Sequence, residues 1–132
     1  MSPLMVESVE LSLDFMEKNG VLVPFCKART SSPEALYICH DSDSDYSQAD
    51  ALASVRREIS SRRGQIHEFA LCSEVYARRD EETEDIHFLK VEYQHTGESE
   101  TLEGLYYFPI LSDMGRLLVK TYDRIDLKEK MI

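Results

Sequence analysis

The chain lacks most of the sequence marks that announce chemistry. It has only three cysteines, Cys26, Cys39 and Cys72, an odd number at no metal-like spacing. That excludes a disulfide framework and suits a reducing compartment, where thiols serve as small buried apolar groups. No CxxC and no HExxH occurs, so His40, His67, His87 and His95 form no ligand pattern. No apolar run approaches the ~18 residues that a membrane-spanning helix needs. Glu7, Glu10 and Asp14 interrupt what would be the apolar part of a signal peptide, and no small-residue cleavage site follows. The five glycines are scattered, without GxGxxG, GxxxxGK[ST] or GxSxG, which excludes the usual phosphate-cradling loops and nucleophile elbows.

Positive charge is also scarce. Fifteen Lys and Arg stand against 25 Asp and Glu, a net charge of −10 at pH 7. Such a surface repels phosphate backbones and anionic lipid, so neither nucleic acid nor membrane is an expected partner. It favours solubility, and it favours a partner with a basic face.

What is present is a globular composition, 42% hydrophobic and 30% charged. The 132 residues suit one domain, residues 1–132. A chain of roughly this length buries about two-thirds of its unfolded surface and needs no metal or disulfide staple. Residues 3–19 read as an amphipathic helix with Met5, Val9, Leu13 and Met16 at helical spacing. Ser2 can cap it, Pro3 suits its first turn and Asn19-Gly20 stops it. Leu11 and Phe15 widen its apolar stripe. Residues 21–29 and 35–40 read as a hairpin around Thr30-Ser31-Ser32-Pro33, with Pro24 marking an edge or a strand start. A second helix, about 48–64, buries Leu52, Val55 and Ile59 and begins at Ser47.

Three alternating strands follow, around Phe69–Ala77, Leu89–Tyr93 and Tyr106–Ile110, joined by charged links that imply antiparallel hairpins. From Met114 the pattern fits a helix better than a strand. The expected fold is therefore α+β, an antiparallel sheet of about five strands with two or three helices on one face, in the order α-β-β-α-β-β-β-(α).

The helix over 5–19, the run Gly20-Val21-Leu22-Val23-Pro24-Phe25, the hairpin, the amphipathic helix and the strands with charged turns resemble an arrangement that recurs in small uncharacterised bacterial proteins. The resemblance covers about residues 5–110 and implies the fold, with no activity attached. The element order is also similar to roadblock-type regulatory adaptors, a likeness of fold, and fold does not give function.

Asp41, Asp43 and Asp45 begin like a calcium loop, but Tyr46 and Leu52 occupy the positions where an EF-hand needs Gly and Glu. They read as a solvated loop before a helix. His87 and His95 share a strand face but stand roughly 26 Å apart at ~3.3 Å per residue. All three cysteines sit in apolar strand contexts and are expected as inert core thiols. Cys26 and Cys39 come opposite each other if the hairpin loop is Ser31 to Glu34. Arg56 and Arg63 share a helix face, either solvated or holding an acidic partner. Leu105-Tyr106-Tyr107-Phe108-Pro109-Ile110-Leu111 is apolar on both faces, as a central strand or an interface would be.

No catalytic residue, metal or cofactor is expected. The candidate interface is Leu11, Phe15, Leu105, Tyr107 and Leu111, with Arg56 and Arg63. The expected function is a non-catalytic protein-interaction or regulatory module of the cytoplasm, with a protein partner or a homodimer. One alternative is an acidic immunity protein or phage-type inhibitor. Another is a small enzyme or cofactor binder whose site forms only in three dimensions.

Overall fold

The computed structural model describes residues 2–40, 47–77, 86–96, 101–113, 116–119 and 123–125. The first helix, α1 (Pro3–Asn19), has the limits that its local signals dictate. Ser2 Oγ accepts from the Met5 N–H at 3.1 Å, Pro3 stands where no intrahelical donor is needed, and Gly20 takes the left-handed conformation at φ 80°. Its buried stripe is Leu4, Met5, Ser8, Val9, Ser12 and Met16. The two buried serines are satisfied within the helix, Ser8 donating to the Leu4 carbonyl and Ser12 to the Ser8 carbonyl, both at 2.7 Å. Small, internally bonded side chains let the helix lie close against the sheet.

The sheet contains β1 (Phe25–Arg29), β2 (Leu36–Cys39), β3 (Glu68–Ala77), β4 (Ile86–Thr96), β5 (Thr101–Asp113), β6 (Arg116–Val119) and β7 (Asp123–Ile125). Its order is β2-β1-β3-β4-β5-β6, with β7 also paired to β5, and every pairing is antiparallel. The second helix, α2 (Gln48–Ser61), lies between β2 and β3 in the chain and is followed by a single 3-10 turn, Arg63–Gln65. Ser47 caps it, its Oγ accepting from the Asp50 N–H at 3.1 Å. The α+β class and the order α-β-β-α-β-β-β are those that the sequence predicts.

Three expectations are corrected. The helices do not share a face. Phe25, Ala70, Cys72, Leu89 and Val91 pack with α1, while the intervening Cys26, Ala28, Phe69 and Leu71 pack with Val55 and Ile59 of α2. Side chains alternate across a strand, so the two helices cover opposite faces. The reason lies in β1 and β3, where Phe25-Cys26 and Phe69-Ala70-Leu71-Cys72 are apolar on both faces and would otherwise expose one row to water. The tail, expected as a helix, supplies β6 and β7 instead. Only two residues separate the register partners Asp113 and Arg116, a hairpin length, and the strand satisfies the outer edge of β5. The facing of Cys26 with Cys39 also fails, because Cys39 pairs with Phe25 and Cys26 with Ile38. β5, with neighbours on both sides, is an interior strand.

Asp41, Asp43 and Asp45 lie outside the described residues. Among the described residues no helix is long and apolar enough to cross a membrane.

Candidate functional site

β2 ends the sheet, so its outer edge has no strand beside it among the described residues. Alternate residues of such a strand turn their N–H and C=O groups away from the sheet, where they are free to pair with another chain. Beside this edge, on the face that carries α1, lies a groove of about 570 Å³. α1 is centred over β3, and its flank of Leu11, Phe15 and Asn19 overhangs β1 toward β2 to form one wall. Past the Gly20 turn, Val21 and Val23 close one end. Phe25 makes the floor, and Tyr37, Cys39 and His40 make the other wall. Phe15 meets Phe25 edge to face, with ring centroids 5.5 Å apart and planes at 84°.

Phe15, Val21 and Tyr37 are 36%, 51% and 52% exposed, so three large apolar side chains gather at one free strand edge. None of the lining side chains is a Lys, Arg, Asp or Glu.

A second cleft, of about 350 Å³, lies at the N-terminal end of α1 and is lined partly by Glu7, Lys27, Arg29 and Glu68. These charges are matched internally. Burial pulls the Lys27 ammonium down, but its hydrogen bonds to Glu7 and Tyr37 outweigh that and hold it above the ordinary lysine value. Its Nζ also stands 5.6 Å from the Tyr37 ring centroid. Burial alone would raise the Glu68 carboxyl. Hydrogen bonds from Tyr93, Arg29 (3.1 Å) and Ser2 overcome it and hold the carboxylate below its usual value. Tyr93 is pushed up to about 12 by burial and by donating to Glu68. This cleft ties the first turn of α1 to the sheet, with Glu7 paired to Lys27 and Glu68 to Arg29, while the exposed Glu34 lies at its rim.

A carboxylate–imidazole pair sits on the same face. Glu74 accepts the Leu22 N–H on Oε1 at 2.9 Å and holds His87 Nε2 on Oε2 at 2.8 Å, and Tyr76 stacks on the imidazole at 4.5 Å. Among the described residues no serine, threonine or cysteine is hydrogen bonded to His87, so the pair has no nucleophile to activate. Its work is to fasten the entry of β1 to β3. Among the described residues no three His, Cys, Asp or Glu side chains stand together as metal ligands.

The residues singled out by sequence fall into four places. Leu11 and Phe15 line the groove. Leu105, Tyr107 and Leu111 share the opposite face of β5, the first two half-buried and Leu111 exposed. Arg56 donates to buried Glu92 at 2.5 Å, with Lys90 3.4 Å from the same oxygen, so it belongs to an ion cluster against the sheet. Arg63 is exposed on the 3-10 turn. Sequence reasoning missed Val21, Tyr37 and Cys39 as groove residues. Cys39 in particular is exposed and not a core thiol. The available signal was parity: with Ile38 buried, both its neighbours on a short edge strand must face the other way.

No protein family, curated protein or solved structure matches the chain.

Proposed function

We propose that the chain is a non-catalytic protein-interaction module whose site is the groove between α1 and β2. The observation that carries this is the gathering of exposed Phe15, Val21 and Tyr37 beside a strand whose outer edge has no partner among the described residues. Contiguous apolar surface of this kind is costly in water unless a partner covers it. A free edge gives an extended peptide its main-chain ladder, and the adjoining groove takes alternate side chains. A cytoplasmic setting fits the exposed, unpaired Cys39, which a reducing compartment keeps as a thiol.

The test is loss of a defined partner. A protein that co-purifies with the wild type should be lost from Phe15→Ser and Val21→Ser variants that remain folded, and kept by Arg63→Ala. Retention by both groove variants overturns the reading. A second reading, a small apolar ligand in the same groove, is favoured by its volume, which lies within the roughly 300–1,000 Å³ of ligand pockets. Such a ligand would leave the outward amides of β2 exchanging freely with solvent, whereas a peptide would protect them.

A further inference from the structure

The closed end of the groove hangs on one carboxylate. The ladder between β1 and β3 begins at Phe25↔Cys72. Pro24, just before it, has no N–H with which to extend that ladder. The preceding stretch is anchored through Leu22. Its side chain is wholly buried in the cluster beneath α1. Its N–H donates at 2.9 Å to Oε1 of Glu74, which stands two residues past Cys72 on β3. Val21 and Val23, on either side of this peg, are the residues that close the groove.

Glu74 has a second duty. Its Oε2 stands 2.8 Å from His87 Nε2, and Tyr76 stacks on the imidazole with centroids 4.5 Å apart. The His87 side chain is 27% exposed against 10% for Glu74, so protons reach the ring from solvent. Glu74 and Tyr76 are the titratable groups that face the ring from β3. On the same face, Leu89 of β4 and Phe108 of β5 are apolar and buried. In the C-terminal half of α1, Asp14 and Lys18 pair with each other and Glu17 accepts the Leu117 N–H.

Leu22 and His87 therefore share one carboxylate. A neutral imidazole carrying its proton on Nε2 gives Glu74 an ordinary hydrogen bond. An imidazolium gives a charge-assisted one, roughly twice as strong. It draws the carboxylate toward β4 and away from Leu22.

We propose that Glu74 couples the charge of His87 to the closed end of the groove, so that protonation of His87 loosens Val21–Val23 and weakens docking. Neither Glu74 nor His87 lines the groove, so both are positioning residues that act through Leu22. The inference rests on the docking reading above, and the two fail separately.

The experiment is a titration of the full chain by nuclear magnetic resonance between about pH 5 and 8, where histidine changes charge. The Leu22 amide and the Val21 and Val23 methyl signals should move with the same midpoint as the His87 ring. Leu22 amide exchange, corrected for its intrinsic rate, should quicken severalfold on the acid side of that midpoint. The Val91 amide, on a central strand, should keep its rate. His87→Gln keeps an uncharged donor and should hold the Leu22 amide slow across the range, with no step. His87→Phe keeps a ring against Tyr76 and serves the same purpose if the first variant misfolds. The protein that co-purifies with the wild type should bind severalfold more weakly near the acid end of the range, and His87→Gln should lose most of that difference.

Groove signals that stay flat while the His87 ring titrates overturn the coupling and leave docking standing. A Leu22 step that survives in His87→Gln or His87→Phe belongs to another group and overturns the coupling too. Equal pH dependence of partner binding in wild type and His87→Gln overturns the control of docking. A coupled Leu22 step, with the partner kept by both Phe15→Ser and Val21→Ser, overturns the docking reading instead.

Discussion

The three thiols should separate into one fast and two slow, and the size of the gap follows from the structure. Cys39 is exposed on the groove wall, whereas Cys26 and Cys72 are wholly buried on the two faces of the sheet. Burial pushes both buried thiols up, Cys72 to about 12 despite a hydrogen bond to Ser12. The thiolate is the reactive form, and at pH 8 an ordinary thiol of pKa about 8.5 is roughly one-quarter ionised. Cys72 is then ionised in about one molecule in ten thousand, a deficit of roughly three orders of magnitude. Access adds to this. A fully buried thiol meets reagent only when the structure opens, and opening the core costs a large part of a global stability of about 5–15 kcal/mol. Native protein at pH 8 should therefore take up one equivalent of iodoacetamide quickly, at Cys39 by peptide mapping, with the others modified on the timescale of unfolding. In denaturant all three should react at similar rates. Rapid uptake of two or more equivalents with the circular dichroism spectrum unchanged, or a Cys39 as slow as Cys72, refutes the reasoning.

Other perturbations have defined outcomes. Leu71→Ala removes a wholly buried side chain from the cluster under α2 and should cost about 2–5 kcal/mol in urea unfolding. Ser2→Ala removes the α1 cap, together with one hydrogen bond to Glu68, and should cost about 1 kcal/mol or somewhat more. The Glu68–Tyr93 pair should shape stability at both ends of the pH scale. Tyr93 titrates at about 12 in the folded chain against ~10 unfolded, so its contribution is complete below pH 10 and is lost between about pH 10 and 12. Tyr93→Phe should abolish that loss in urea midpoints measured across this range. Glu68 titrates below its ordinary ~4.3, so its contribution is present above that pH and disappears as pH falls through the lower folded value. The stability gap between wild type and Glu68→Gln should accordingly shrink below about pH 4.

Local instructions were the most legible part of the sequence. Ser2, Pro3 and Gly20 fix α1 through hydrogen bonds and dihedrals within a few residues, and the alternation in β3, β4 and β5 follows from a side-chain period of two. Placement across the sheet was not legible. Periodicity says that Val55 and Ile59 are buried, but not on which face. That depends on β1 taking β2 on one side and β3 on the other, pairings separated by the whole of α2. The run Leu117-Leu118-Val119 is too short for its period to decide between helix and strand, and the open edge of β5 decides it. Half of the groove was visible in Leu11 and Phe15, which exceed the stripe that α1 needs. The other half was hidden because Tyr37 and Cys39 look like core residues until β2 is known to be terminal. The Arg29–Glu68–Tyr93 cluster joins residues from three strands and leaves no local trace.

Hydrogen exchange resolved at single amides, with and without the protein that co-purifies with the wild type, tests docking at the β2 edge most directly. The outward-facing amides within Leu36–Cys39 should slow by roughly tenfold or more, as new ladder bonds require, with the Phe15 and Tyr37 ring resonances shifting together. Amides of β5 around Leu105 and Tyr107, on an interior strand, should not change. Protection that appears along β5 while β2 keeps its free exchange rates would contradict the account.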